Sequence, residues 1–323
     1  MLAPSVSSNS FLDTIVIAVR KHNGLTGKRG ISAARRFVDP SDPIHGPGDD
    51  GAIVEIDGRQ VVACGEAISP AFIRADPYGA GIAAILANVN DVAAMGGVPR
   101  GIVNTVVGPR EVTSEVLRGM SDAASMYDVP IIGGHLTEGD GETSVSAFAV
   151  GHAEQVLTMA NVRPGQELLF ACSLDGVMRS DFPFFTTIER QRPTFARDVR
   201  LLAEVASLGA AVAAKDVSMA GPLGSLAMLL EFRRCGAIVD MRKLPTPADT
   251  DPLRWLVSFP TYAFWLTAEP KSAAQCATVF ESKGLVCARV GETVDGGQLT
   301  LTDGDCRRVL LDLDNESVTG LWM

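Results

Sequence analysis

The chain reads as an α/β protein of two domains, and three observations predict this. Its 323 residues exceed one average domain, and about 150 residues per domain gives roughly two. Stretches with strand periodicity alternate with stretches of helical periodicity, the pattern of layered α/β architectures. Residues 155–165, with Asn161, Pro164 and Gly165, form a loop-rich junction near the middle, which puts the domains at 1–154 and 155–323.

The elements follow in order. Residues 11–22 place Leu12, Ile15, Val16 and Val19 at helical spacing. The glycines of 24–30 break that helix, and a proline-rich loop covers 39–51. Residues 52–56 and 60–64 flank Asp57-Gly58 as a hairpin. Asp76-Pro77 opens a helix, a capping carboxylate followed by proline at the first helical position, and Gly96-Gly97 ends it. A strand at 101–107, a helix from Thr113 to about Tyr127, a short strand at 129–132 and a long strand at 143–153 complete the first half. The second half gives strands at 167–171, 236–241, 261–267 and 285–290 and helices at 194–207, 222–234, 250–257 and 270–283.

Composition narrows the class of function. With 46% hydrophobic and 20% charged residues, the chain is neither disordered, collagen-like nor a coiled coil. Its longest apolar stretches, at 82–89 and 221–230, are too short for a membrane span. The N-terminus has no basic region and no long apolar run, so it does not read as a signal peptide. Six cysteines without C-x-x-C spacing fit free thiols in a reducing cytoplasm. Lysine and arginine number 28 against 38 aspartates and glutamates, a net charge of −10 without a basic stripe. That argues against a nucleic-acid partner. It also suits a carboxylate cluster neutralised by cations.

The common nucleotide and hydrolase signatures are missing: no P-loop, no G-x-G-x-x-G between a strand and a helix, no protein-kinase set, no G-x-S-x-G. Four polar segments at element boundaries remain. In Gly48-Asp49-Asp50-Gly51 two carboxylates can face one cavity and hold magnesium, although Asp and Gly alone suit a surface turn. Asn88 and Asp91 share a face of an otherwise apolar helix, and a buried carboxylate there needs a partner or a metal. Gly133-Gly134-His135 lets a backbone approach a ligand closely. The segment from Lys215 through Asp216 and Ser218 to Gly221-Pro222 leads into a helix N-terminus that can bind phosphate or simply be capped by Ser218.

Read together, these segments resemble the superfamily of aminoimidazole ribonucleotide synthetase, thiamine-monophosphate kinase, selenophosphate synthetase and the hydrogenase maturation factor that dehydrates a carbamoyl group. The resemblance runs from about residue 24 to 320. It is carried most specifically by DPYGAGIAAILANVNDVAAMGGVPRG (76–101) and by Gly48-Asp49-Asp50-Gly51-Ala52. KDVSMAGPLGSLAMLLE (215–231) and RWLVSFPTYAFWL (254–266) are similar to a bacterial subgroup, related to aminoimidazole ribonucleotide synthetase, whose substrate is unassigned.

The resemblance implies a PurM-like fold. An N-terminal ATP- and magnesium-binding domain would build a β-barrel with a second subunit in a homodimer, and a C-terminal α/β sandwich would follow. Asp49, Asp50 and Asp91 would ligate magnesium. Asn88, Gly133, Gly134, Asp216 and Ser218 would line the nucleotide, and Lys28 in the N-terminal glycine loop would cover its phosphates. Departures from thiamine-monophosphate kinase fall at Gly65-Glu66 and His135, where that family has aspartates, and at Met219, where a carboxylate is missing. Glu66 and His135 thereby become the candidate catalytic residues for a changed acceptor. The cysteine or selenocysteine of selenophosphate synthetase and the cysteine tail of the hydrogenase factor are absent.

The expected protein is an ATP- and magnesium-dependent enzyme. It would transfer the γ-phosphoryl group to a small-molecule substrate, or activate that substrate's carbonyl or amide oxygen. Thiamine-monophosphate kinase is the alternative within that class. A non-catalytic nucleotide-binding partner subunit, motivated by Met219, is the alternative outside it.

Overall fold

The computed structural model describes residues 8–37 and 48–322. The chain forms two compact units. One comprises Asp50–Val156 and Ile188–Leu208; the other comprises the described residues up to Asp49, Leu157–Thr187 and Gly209 onward. A single cut between 154 and 155 does not reproduce this division, because segments from each half join the other's unit.

The first unit is built on five strands: β1 (Ala52–Ile56), β2 (Arg59–Ala67), β3 (Val98–Gly108), β4 (Ile131–Glu138) and β5 (Ser144–Ala153). Their order is β1-β2-β5-β3-β4. All neighbours are antiparallel except β3 and β4. The β1–β2 hairpin turns at Asp57 and Gly58, both with positive φ (49° and 74°), which matches the strand twist.

Two helices, Pro77–Ala94 and Arg110–Tyr127, belong to the same unit. Asp76 caps the first by accepting from the Gly79 N–H at 2.8 Å, with Pro77 in its first turn. The helices cross closely because Gly81 and Gly119 lack side chains. A Cβ at Gly81 would run into the Val116 carbonyl, and one at Gly119 into that of Tyr78.

One face of the sheet is buried through Ile53, Val62, Ile102, Val106, Val145, Ala147 and Ala149. The alternate positions Val54, Ile56, Val103, Val107, Phe148 and Val150 are exposed. Strand β4 has no buried residue. It runs well past the expected 129–132, carrying Gly133-Gly134-His135 within the sheet.

The second unit holds a seven-stranded sheet of β6 (Glu167–Cys172), β9 (Ala213–Asp216), β10 (Gly236–Asp240), β12 (Ala263–Ala268), β13 (Val286–Val294), β14 (Gln298–Asp303) and β15 (Cys306–Asp312). The order is β15-β14-β10-β13-β6-β12-β9, and only β10 and β14 run parallel. A small sheet adds β7 (Val177–Met178), β8 (Phe184–Thr186) and β11 (Phe259–Pro260).

The helix Ser8–Lys21 belongs here, which explains why the N-terminal segment leaves the expected first domain. Leu12, Ile15 and Val19 enter the same apolar core as Leu310, Trp255 and Trp265, and Arg308 bonds Asp13 at 2.5 Å. Arg20 bonds both the Leu310 carbonyl and Glu316, each at 2.8 Å. Glu231, buried at the end of helix Gly221–Glu231, accepts hydrogen bonds from Ser317, Val318 and Thr319 and fixes the C-terminal segment.

Residues 27–30, expected within the glycine break, lie in a 3-10 segment, Gly27–Phe37, with no buried side chain. Helix 194–207 resolves into Phe195–Asp198 and Leu201–Ser207. Among the described residues no helix is long and apolar enough to cross a membrane. The architecture is thus mixed α/β, with an open five-stranded sheet in this chain.

Candidate functional site

Asp91 lies in the last turn of helix Pro77–Ala94, buried with Asn88 and Asn90. Asp50 lies two residues before β1. Their carboxylates offer oxygens within 4.8 Å of each other. Two like charges at that separation repel by about 3 kcal/mol at an effective dielectric near 20. A divalent cation, which takes carboxylate oxygens as ligands, reverses that sign. The pair is a donor set fit for magnesium.

Cys64 of β2 faces the same helix, and its thiol donates to the Asn88 carbonyl at 3.4 Å. Burial pushes this thiol well up from its ordinary value, and the negative charge of Asp91, then those of Glu66 and Asp50, add to the shift against an opposing hydrogen bond from the Ala149 backbone. The thiol is therefore a neutral neighbour of the acidic pair. Cysteine spacing gave no hint of this, but the period of two in β2, which puts 62, 64 and 66 on one face, carries the signal.

The other expected residues divide. Asn88 spends its amide donor on the Ala84 carbonyl of its own helix (2.8 Å), leaving its carbonyl oxygen 3.5 Å from the Cys64 sulfur. Glu66 pairs with Ala147 of β5 and shares the face of Cys64. His135 pairs with Thr105 of β3, whereas Gly134 pairs with Asn104, which pairs in turn with Ala147. A Cβ at Gly134 would collide with the Asn104 side chain, and a Cβ at Gly133 would meet open space. His135 thus stands on the open, apolar face and Glu66 on the helix-covered one. The two candidate catalytic residues are not brought together.

Asp49 differs from its neighbour Asp50. Its Oδ2 accepts from the Thr158 hydroxyl at 2.7 Å and the Met159 N–H at 3.0 Å, so this carboxylate oxygen is committed to holding the turn Met159–Asn161. Of the three expected metal aspartates, Asp50 and Asp91 are brought together, while Asp49 holds Thr158 and Met159 through its Oδ2.

Lys28 lies half-buried on the 3-10 segment of the second unit. Asp216 ends β9, buried and ion-paired with the buried Lys215. Ser218 does not cap helix Gly221–Glu231; Ala220 holds that position. The Ser218 N–H donates to the Ser225 hydroxyl at 3.0 Å, and its own hydroxyl is buried without a hydrogen-bond partner among the described residues.

Comparison with known proteins fits this arrangement. Residues 48–153 match the family described as AIR synthase related protein, N-terminal domain, and residues 186–304 match its C-terminal domain. An uncharacterized protein of Methanocaldococcus jannaschii is 30% identical over 322 residues, covering 96% of this chain and 99% of its own. A thiamine-monophosphate kinase of Rhodopirellula baltica is 29% identical over 216 residues, 62% of this chain and 65% of its own. The structure of T. maritima PurL complexed with ATP superposes with a TM-score of 0.75 at 18% identity, over 94% of this chain and 52% of that one. This chain spans about half of PurL, and the likeness at that identity is one of fold. Matched in both halves, and related along its whole length to the Methanocaldococcus protein, the chain belongs to the AIR synthase related family.

Proposed function

We propose that this protein is an ATP- and magnesium-dependent enzyme that transfers the γ-phosphoryl group to a small-molecule substrate, or uses ATP to activate the substrate's carbonyl or amide oxygen. The observation that carries this reading is the Asp50–Asp91 pair, with oxygens within 4.8 Å on a protein of net charge −10. The family and the ATP complex of PurL support it. Asp50 and Asp91 would hold magnesium, and the ion, when bound, neutralises the phosphates. Magnesium needs only one or two carboxylates besides phosphate oxygens, so the pair is sufficient. Asn88 contributes its carbonyl oxygen and positions Cys64. Glu66, exposed on the same face, would meet an acceptor.

Equilibrium binding of ATP with and without magnesium tests the reading. Asp91→Asn should weaken magnesium-dependent ATP binding at least tenfold, while magnesium-free binding changes little. Equal affinity in the variant would refute it.

Thiamine monophosphate is not the expected acceptor, since Glu66, His135 and Met219 replace the residues of that resemblance. We further propose a homodimer in which the open face bearing Val103, Val107, Phe148 and Val150 closes a barrel with the same face of a second subunit. Such a continuous apolar surface is unusual on a monomer. Six free cysteines suit a reducing, cytoplasmic setting.

A further inference from the structure

Within the second unit lies a cavity of about 850 Å³ that the nucleotide reading does not use. Five separate stretches of chain line it, within 160–166, at Val212, and within 233–235, 269–271 and 294–296. They bring Arg163, Arg233, Arg234 and Lys271 together with Glu269 and Asp295. That is four cations against two anions, a net +2 on a chain whose total is −10.

The charges are not equally available. Arg163 is paired with Glu269 at 2.6 Å, so these two cancel. Arg233 uses its Nε to bond the Ala160 carbonyl at 2.7 Å. Arg234 uses one terminal nitrogen on the Trp322 carbonyl at 2.8 Å. Each guanidinium is therefore held by one N–H while other N–H groups remain to donate. Lys271 has no ion-pair partner among the described residues. The wall behind them is rigid: Gln166, fully buried, accepts from the Arg163 N–H at 3.1 Å and donates to the Asn161 carbonyl at 3.0 Å. Asn161 in turn bonds the Val212 carbonyl at 3.2 Å.

We propose that this cavity binds a phosphate-bearing small molecule, with Arg233, Arg234 and Lys271 as its donors. Guanidinium groups suit tetrahedral oxyanions through paired donors, and the Lys271 ammonium adds a point charge to the same lining. Asp295 opposes the anion and sets the affinity below its maximum.

Calorimetric titration of the full chain with inorganic phosphate, pyrophosphate and citrate, without magnesium, tests the assignment. Pyrophosphate and phosphate should bind and citrate should bind more weakly. Arg233→Ala combined with Lys271→Ala should weaken phosphate binding at least tenfold, with the melting temperature in buffer unchanged because both side chains are exposed. Asp295→Asn should strengthen it severalfold. Asp91→Asn should leave it unaltered, which separates this site from the proposed magnesium site. Absence of phosphate binding, citrate binding as tight as phosphate, or insensitivity to these substitutions would overturn the proposal.

Discussion

At the scale of single residues, the acidic segment shows how neighbours in sequence can take different work. Asp49 holds a turn through Thr158 and Met159, while Asp50 meets Asp91. No local pattern distinguishes two adjacent aspartates between glycines. Asp91 was legible, because a carboxylate inside an apolar helix has to be explained. The face of His135 was not, because it depends on the register of β3 with β4, set by residues thirty positions apart. His135 is exposed and off the Asp50 side, so His135→Ala should leave magnesium-ATP affinity and stability unchanged. A role toward the acceptor would appear as lower turnover of the true substrate. The wild-type protein should convert thiamine monophosphate negligibly, measured as diphosphate formed; efficient conversion would make the Glu66 and His135 departures tolerated changes within a kinase.

At the scale of elements, strong punctuation was readable and weak alternation was not. Asp76-Pro77 and Gly96-Gly97 bounded their helix almost to the residue. The hairpin of β14 and β15 escaped because its strands carry polar residues at many positions and the Gly304-Asp305 turn lies amid other loop formers. The crossing of helices Pro77–Ala94 and Arg110–Tyr127 depends on Gly81 and Gly119 meeting backbone. Gly81→Ala should therefore destabilise the first unit by about 1–3 kcal/mol, the range for overpacking, read as a fall in the denaturant midpoint. An Ala substitution at Gly139, where a Cβ meets nothing, should change little.

The Ser8–Lys21 helix gives a pH-dependent element. Burial alone would raise the Glu316 carboxyl, but hydrogen bonds from Arg20 and the Asp312 N–H overcome this and hold it below its usual value. A lowered folded value means the stabilisation is complete above the ordinary carboxylate range and fades as pH falls through the lowered value. Partial exposure limits it to about 0.5–1 kcal/mol. Wild type should melt above Glu316→Gln at pH 7, and the gap should close below about pH 4. A gap that widens on acidification would contradict the assignment.

At the scale of the whole molecule, alternation of strand and helix was enough to place the chain in the mixed α/β class. A single domain cut was not, since contact between distant segments has no signature in local composition. The open sheet face makes the assembly testable: Val103→Glu should shift light-scattering mass from dimer to monomer while the circular dichroism spectrum is retained, because Val103 is exposed within the subunit. A monomeric wild type at micromolar concentration would remove the dimer from the proposal.

The pairing of Asp13 with Arg308, 295 residues apart, has a consequence for synthesis. As the nascent chain leaves the ribosome, residues 50–156 and 188–208 can fold while the Ser8–Lys21 helix still waits for β15. Until then Leu12, Ile15 and Val19 lack part of the core they enter, Leu310 and Leu311 included, so this helix is buried late. Long-range closure of this kind is slow and leaves apolar surface open to aggregation. Vectorial folding therefore makes the Ser8–Lys21 helix a segment that a chaperone would hold until β15 is made.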